Sequence, residues 1–177
     1  MREPAVIILS GIPGAGKTTV GALLARRFQR GVHVEADRLH LMIVSGGLWP
    51  DGEPQDEAMR QLRLRGRNAC LLADSFFAAG FTVVVDDVVI GSRLAEFEAA
   101  LKSRPLYFVL LTPDPEVVAA RDAGRVEKHV FEVWGHLDTA MRAETPRVGL
   151  WLDSSAMTPA ETVDAVLERL EPEARIG

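Results

Sequence analysis

The stretch LSGIPGAGKTTVGALL, Leu9 to Leu24, contains the spacing G-x-x-x-x-G-K-[ST] from Gly11 to Thr18. It follows an apolar run and opens a helical pattern, the context in which this spacing holds a phosphate chain. Each residue type has a physical task. Gly11, Gly14 and Gly16 allow backbone angles and close approach that a side chain forbids. Pro13, Ala15 and Thr19 complete the small-residue loop, whose N–H groups and helix N-terminus surround an anion. Lys17 would reach the β- and γ-phosphates, and the Thr18 hydroxyl would ligate Mg²⁺. Lysine is rare here: of 20 basic residues only Lys17, Lys102 and Lys128 are not arginine, so its place in the motif is informative.

Such a loop needs a carboxylate at the end of a neighbouring strand to hold the metal, directly or through water. FTVVVDD offers Asp86 and Asp87. A strand alternates its faces, so one is expected to serve the metal and the other to cap the following turn. Asp37, in HVEADRLHLM, is expected where the second strand emerges beside the γ-phosphate. There it would act as general base toward an attacking hydroxyl. The competing reading makes it a helix cap for RLHLMIV.

Arg121 and Arg125 lie four apart on a helical pattern and share a face. They could close over a triphosphate and neutralise charge developing in transfer, or form a solvated face with Glu116 or Asp122. Arg60, Arg63 and Arg67 align on one face of another helix, with Arg65 elsewhere. A solvated face is the ordinary reading of such a row, and an acidic acceptor surface the alternative. His33, His40, His129 and His136 lack the spacing of a zinc site. Trp49 and Trp134 would stack on an acceptor or close loops over the core.

The elements that must position these groups can be read from apolar patterning. Strands are expected at 5–10, 31–36, 81–87, 106–112 and 148–154, and helices at 18–29, 56–79, 92–103, 114–125 and 158–170. Thr158, Pro159 and Glu161 form a capping box, Ser92 a cap, Pro115 a first-turn proline and Gly80 a helix stop. Strand–helix alternation predicts an α/β fold with a parallel sheet covered on both faces. Residues 44–56 read as a loop, and 126–147 as a mixed, polar insertion. Insertions after strand C-termini are where such folds build ligand sites.

The chain has 177 residues, a size for one domain, with 47% hydrophobic and 25% charged residues and a net charge of −5. The acidic balance gives no global case for nucleic acid or an anionic membrane. No run approaches a membrane span, and MREPAVIIL is too short for a secretion signal. The single Cys70 forms no internal disulfide and fits a cytoplasmic protein. Nothing in the pattern favours a monomer over a homo-oligomer. The N-K-x-D guanine signature is absent, which argues against a GTPase.

LSGIPGAGKTTVGALL, the aspartate after strand two, VVVDDVVIG and the chain length together resemble chloramphenicol phosphotransferase and its relatives among small P-loop kinases. Gluconate, shikimate and adenylylsulfate kinases are similar more distantly. DDVVIG, Asp86 to Gly91, is the most particular piece. The resemblance implies a P-loop NTPase three-layer sandwich with strand order 2-3-1-4-5 over residues 1–177. It also implies transfer of the ATP γ-phosphate to a hydroxyl of a small molecule with Mg²⁺. In that reading Asp37 is the base, 44–67 the acceptor-side loop and helix, and 121–147 the lid region carrying Arg121 and Arg125. Pro13 and the second threonine depart from the chloramphenicol enzyme's loop and are equally common in sugar, nucleotide and polynucleotide kinases. The acceptor is therefore not inherited. A nucleotide- or polynucleotide-end kinase and a nucleotide-gated regulatory protein are the alternatives.

Overall fold

A computed structural model describes residues 4–123 and 136–177. Its centre is β1 (Val6–Ser10), entirely buried, which pairs in parallel with β3 (Thr82–Asp86) on one side and β4 (Leu106–Leu111) on the other. β2 (Gly31–Glu35) adds to β3, and β5 (Leu150–Leu152) to β4. The five-stranded order is 2-3-1-4-5. β1, β3 and β4 are buried at every position, as apolar runs covered on two faces should be.

Helices fill both faces. They are α1 (Lys17–Ala25), α2 (Ala36–His40), α3 (Gln55–Ala78), α4 (Arg93–Ala100), α5 (Pro115–Ala123), α6 (Leu137–Glu144) and α7 (Pro159–Arg169). α1 packs on β2, β3 and α7, whereas α3 packs on β2, β3 and α4. The capping box forms as its residues require. The Thr158 Oγ1 accepts from the Glu161 N–H at 3.3 Å, and the Glu161 carboxylate accepts from the Thr158 N–H at 2.8 Å.

Differences from the patterning have local causes. Ser92 occupies the cap position of α4 but is already helical (φ −62°, ψ −18°) and makes no side-chain cap, which needs extended backbone. α1 ends at Ala25: the Arg26 amide still reaches the Ala22 carbonyl, but the Arg27 and Phe28 amides turn back only three residues, to the Leu24 and Ala25 carbonyls. β5 is shorter than expected because Gly149 (φ +70°) turns the chain against β4, where a Cβ would lie 2.5 Å from the Phe108 carbonyl oxygen. Within the stretch expected to be irregular, Leu137–Glu144 is helical, with Met141 buried. After α7 the chain makes a π-helical turn, Leu170–Ala174, and Arg175 bridges Tyr107 at the end of the sheet face.

Candidate functional site

The C-terminal ends of β1, β2 and β3 lie side by side, and the loop Gly11–Gly16 leaves β1 there. Gly11 (φ +151°) could not carry a Cβ, which would sit 2.9 Å from the Leu111 carbonyl oxygen. Gly14 (φ +88°) and Gly16 (φ +94°) are left-handed, and Gly16 caps α1. The first-turn amides of α1 thus follow directly on the loop, without acceptors inside the helix. Lys17 donates from Nζ to the Ile12 carbonyl at 3.1 Å, folding its ammonium back over the loop. Burial holds Lys17 below the ordinary ammonium value, opposed by the carboxylates of Asp86, Asp37 and Asp87. Thr18 and Thr19 are exposed on the first turn. The turn after β3 is tied to the loop by Ser10. Its Oγ donates to the Val89 carbonyl at 2.8 Å and accepts from the Val89 N–H at 2.9 Å.

Asp86 and Asp87 separate sharply. Asp86 shares a sheet face with His33, whose Nε2 donates to Asp86 Oδ2 at 2.9 Å, and α1 covers that face. Asp87 points to the α3 side. Its Oδ1 accepts from Arg65 Nη2 at 2.5 Å and its Oδ2 from Arg93 Nη2 at 3.0 Å. Its side chain is 1% exposed. Burial pushes its carboxyl up, but Arg65, Arg93 and the Val88 N–H outweigh that and hold it below the ordinary value.

Arg65 is a residue that patterning alone had not placed in the site. Its side chain is 4% exposed, and while Nη2 bonds Asp87, Nη1 donates to Asp37 Oδ1 at 2.8 Å. One guanidinium therefore links the ends of β2 and β3. A signal existed: Ala58, Leu62, Arg65 and Ala69 form one buried stripe of α3, so Arg65 occupies a core position. Asp37 is not the cap of α2, whose cap position is Glu35; it lies in the first turn with its side chain 55% exposed. The other arginines of the row face solvent. Arg60 pairs with Glu57 at 2.6 Å and Arg63 with Glu96 at 3.7 Å.

The chain from α2 to α3 forms the wall next to Asp37. Leu41, one turn beyond Asp37, is exposed, as are Met42 and Val44. Trp49 stacks obliquely on His40, ring centroids 4.4 Å apart. Burial, then the Arg65 cation, holds His40 below its usual value, with Asp37 opposing. Gln61 pins this loop, accepting from the Leu48 N–H at 2.7 Å and donating to the Gly46 carbonyl at 2.9 Å.

Arg121, at the end of α5, donates from Nη2 to the carbonyls of Ser154, Ser155 and Met157, at 2.9 to 3.3 Å. It therefore reaches the loop that follows β5. Arg125, Trp134 and His129 lie outside the described residues.

For Mg²⁺, no group of three or more His, Cys, Asp or Glu among the described residues could enclose an ion. The donors present, the Thr18 hydroxyl and one Asp86 oxygen, fit an ion that takes its remaining ligands from phosphates and water, as Mg²⁺ does.

The family model AAA_33, described as an AAA domain, matches residues 6–146. The chain belongs to the AAA_33 family. A comparison with curated proteins returned no match. Among solved structures it is similar to a sugar kinase from Janibacter sp. HTCC2649, at 18% identity over 93% of both chains, TM-score 0.69. A gluconokinase from Sinorhizobium meliloti 1021 matches at 23% identity over 97% of this chain and 94% of that one, TM-score 0.66. The Mycobacterium tuberculosis APS kinase CysC, in complex with AMPPNP and APS, matches at 17% over 97% and 99%, TM-score 0.66. The fold of this AAA_33 member is thus the fold of P-loop kinases. Among the described residues no helix is long and apolar enough to cross a membrane.

Proposed function

We propose that this AAA_33 member is a cytoplasmic ATP-dependent phosphotransferase that moves the γ-phosphate to a hydroxyl of a small molecule. The observation that carries the proposal is Asp37: an exposed carboxylate beside the phosphate loop, oriented by Arg65 Nη1 at 2.8 Å. The kinase fold of the structural neighbours supports the same reaction class.

In this reading the loop amides from Gly11 to Gly16 bind the phosphates and Lys17 counters charge on the transferring group. Thr18 and Asp86 would hold Mg²⁺, which would supply countercharge to the phosphates. Asp37 accepts the hydroxyl proton as the acceptor oxygen bonds the γ-phosphorus in line and the bond to the bridging oxygen breaks, leaving ADP, and Arg65 holds the carboxylate in place. Arg121 and Arg125 belong to the lid region, 121–147. Residues 44–67 form the acceptor side, and exposed Leu41, Met42 and Val44, between Asp37 and the body of that segment, suit an acceptor with an apolar body. The resemblance to chloramphenicol phosphotransferase places hydroxyl-bearing antibiotics among the acceptors to test.

The test is a metabolite and antibiotic library incubated with protein, ATP and Mg²⁺, read by mass spectrometry for a gain of one phosphate. Asp37→Asn is expected to lower transfer by about 10² to 10⁴-fold while retaining ATP-analogue binding. Full transfer by Asp37→Asn would remove the base role. ATP binding with no acceptor-dependent turnover across the library would instead favour a nucleotide-gated regulatory protein.

A further inference from the structure

We propose that His33 is a positioning residue for the magnesium carboxylate, and that Gly21 is retained in α1 to make room for it. The inference rests on the reading of Asp86 as the metal-side acid. It concerns how that acid is aimed.

His33 of β2 pairs with Val84 of β3, one pleat before the Glu35–Asp86 pair, so His33 and Asp86 are diagonal neighbours on one sheet face. The imidazole Nε2 donates to Oδ2 of Asp86 at 2.9 Å, since a carboxylate oxygen can only accept. No other described group bonds the Asp86 side chain, so one oxygen is fixed and the other is left for a ligand. A single hydrogen bond of this kind sets the rotamer of a two-oxygen donor. Outer partners of metal ligands act in this way elsewhere.

Gly21 supplies the independent observation. It sits inside α1 without positive φ, so its backbone conformation is open to any residue. Glycine in a helix interior costs about 0.5–1 kcal/mol relative to alanine. Its surroundings explain it: a Cβ at position 21 would lie 2.7 Å from His33 Nε2 and 3.0 Å from Cδ2. The atom it would strike is the one that holds Asp86. α1 also begins with Lys17 and Thr18, so helix, ring and carboxylate form one packed unit continuous with the phosphate loop.

The experiment compares the affinity of AMP-PNP in EDTA with its affinity in Mn²⁺, on the full chain, for the wild type and four variants. The ratio of the two affinities is the metal-dependent gain. His33→Leu and Gly21→Ala are expected to lose about 10-fold of that gain, with metal-free affinity within about 2-fold of wild type. His33→Gln, whose amide can donate from nearly the Nε2 position, is expected to keep most of it. A gain unchanged in Gly21→Ala and His33→Leu overturns the proposal, as does a loss in which metal-free affinity falls equally. Asp86→Asn separates the two levels. If it abolishes the gain while His33→Leu does not, the aiming role fails and Asp86 stands; if it leaves the gain intact, the reading of Asp86 fails as well. Gly21→Ala keeps the test available if His33→Leu does not fold, because the clash falls on a movable ring rather than on backbone.

Discussion

Asp86 closes β3 and Asp87 follows it directly, and both are buried, yet their partners differ in kind. Asp87 is fully enclosed, and both of its oxygens are taken by arginines of the protein itself. Asp86, on the other sheet face, has one oxygen bonded to His33 and the other unclaimed by any described group. A buried carboxylate with a complete set of partners has finished its chemistry inside the fold. Asp86, with one hydrogen-bond partner and the Lys17 ammonium in its field, keeps an oxygen that no described group bonds, which is what the proposed metal role requires. Completeness of partners, more than position in a motif, is what separates the two.

The largest expected effect is on the enclosed side. Arg65→Met removes a cation from Asp87 and from Asp37 together, and should lower stability by about 3–5 kcal/mol in urea denaturation, with Arg93 keeping it toward the lower end. Asp86→Asn should change stability by less than about 1 kcal/mol, because an amide oxygen can still accept from His33. Combining Arg65→Met with Asp87→Leu should recover much of the Arg65 loss, since the cost lies in a stranded charge. Equal losses for Arg65→Met and Asp86→Asn would erase the contrast.

Acid sharpens the comparison further. Asp87 is held below the ordinary carboxylate value of 3.8, because two arginines and the Val88 amide outweigh the upward push of burial. A folded pKa below the unfolded one means that the stabilisation is fully present above about pH 4 and is lost as pH falls through the folded value. Denaturation followed from about pH 6 to about pH 2 should show a steep acid limb in the wild type and a shallower one in Asp87→Asn. An unchanged limb would show that other carboxylates carry the acid sensitivity.

Much of this was legible in the sequence. The loop from Gly11 to Thr18 fixes β1 and α1, and the apolar runs mark β3 and β4, because strands buried on two faces leave little room for polar residues. The strand order was supplied by resemblance, since pairing partners are distant in the chain. What was not legible is mostly direction. Two consecutive acids at a strand end face opposite ways, but nothing local says which face carries α1 and which α3. Arg65 was hidden by its neighbours Arg60, Arg63 and Arg67, although its three- and four-residue spacing from Leu62 and Ala69 placed it on the buried stripe. His33 was read only against zinc spacing, and its meaning depends on Gly21, a contact between a strand and a helix that sequence distance does not reveal.

The smallest expected effect belongs to Arg60, and it tests the same principle on one helix. Arg60 and Arg65 both pair with carboxylates at short distance: Arg60 Nη2 lies 2.6 Å from Glu57 Oε2. The Arg60 side chain, however, is 68% exposed, against 4% for Arg65. Water competes for the Arg60 charge, salt screens it, and holding two long side chains together costs rotamer freedom. Arg60→Ala should therefore alter stability by less than about 0.5 kcal/mol, and by still less in molar salt, measured in the same urea titrations. A loss approaching that of Arg65→Met would mean that the ion pair itself, rather than its enclosure, sets the energy. Enclosure would then no longer be the reason that the Arg65–Asp87 pair is worth more than the Arg60–Glu57 pair.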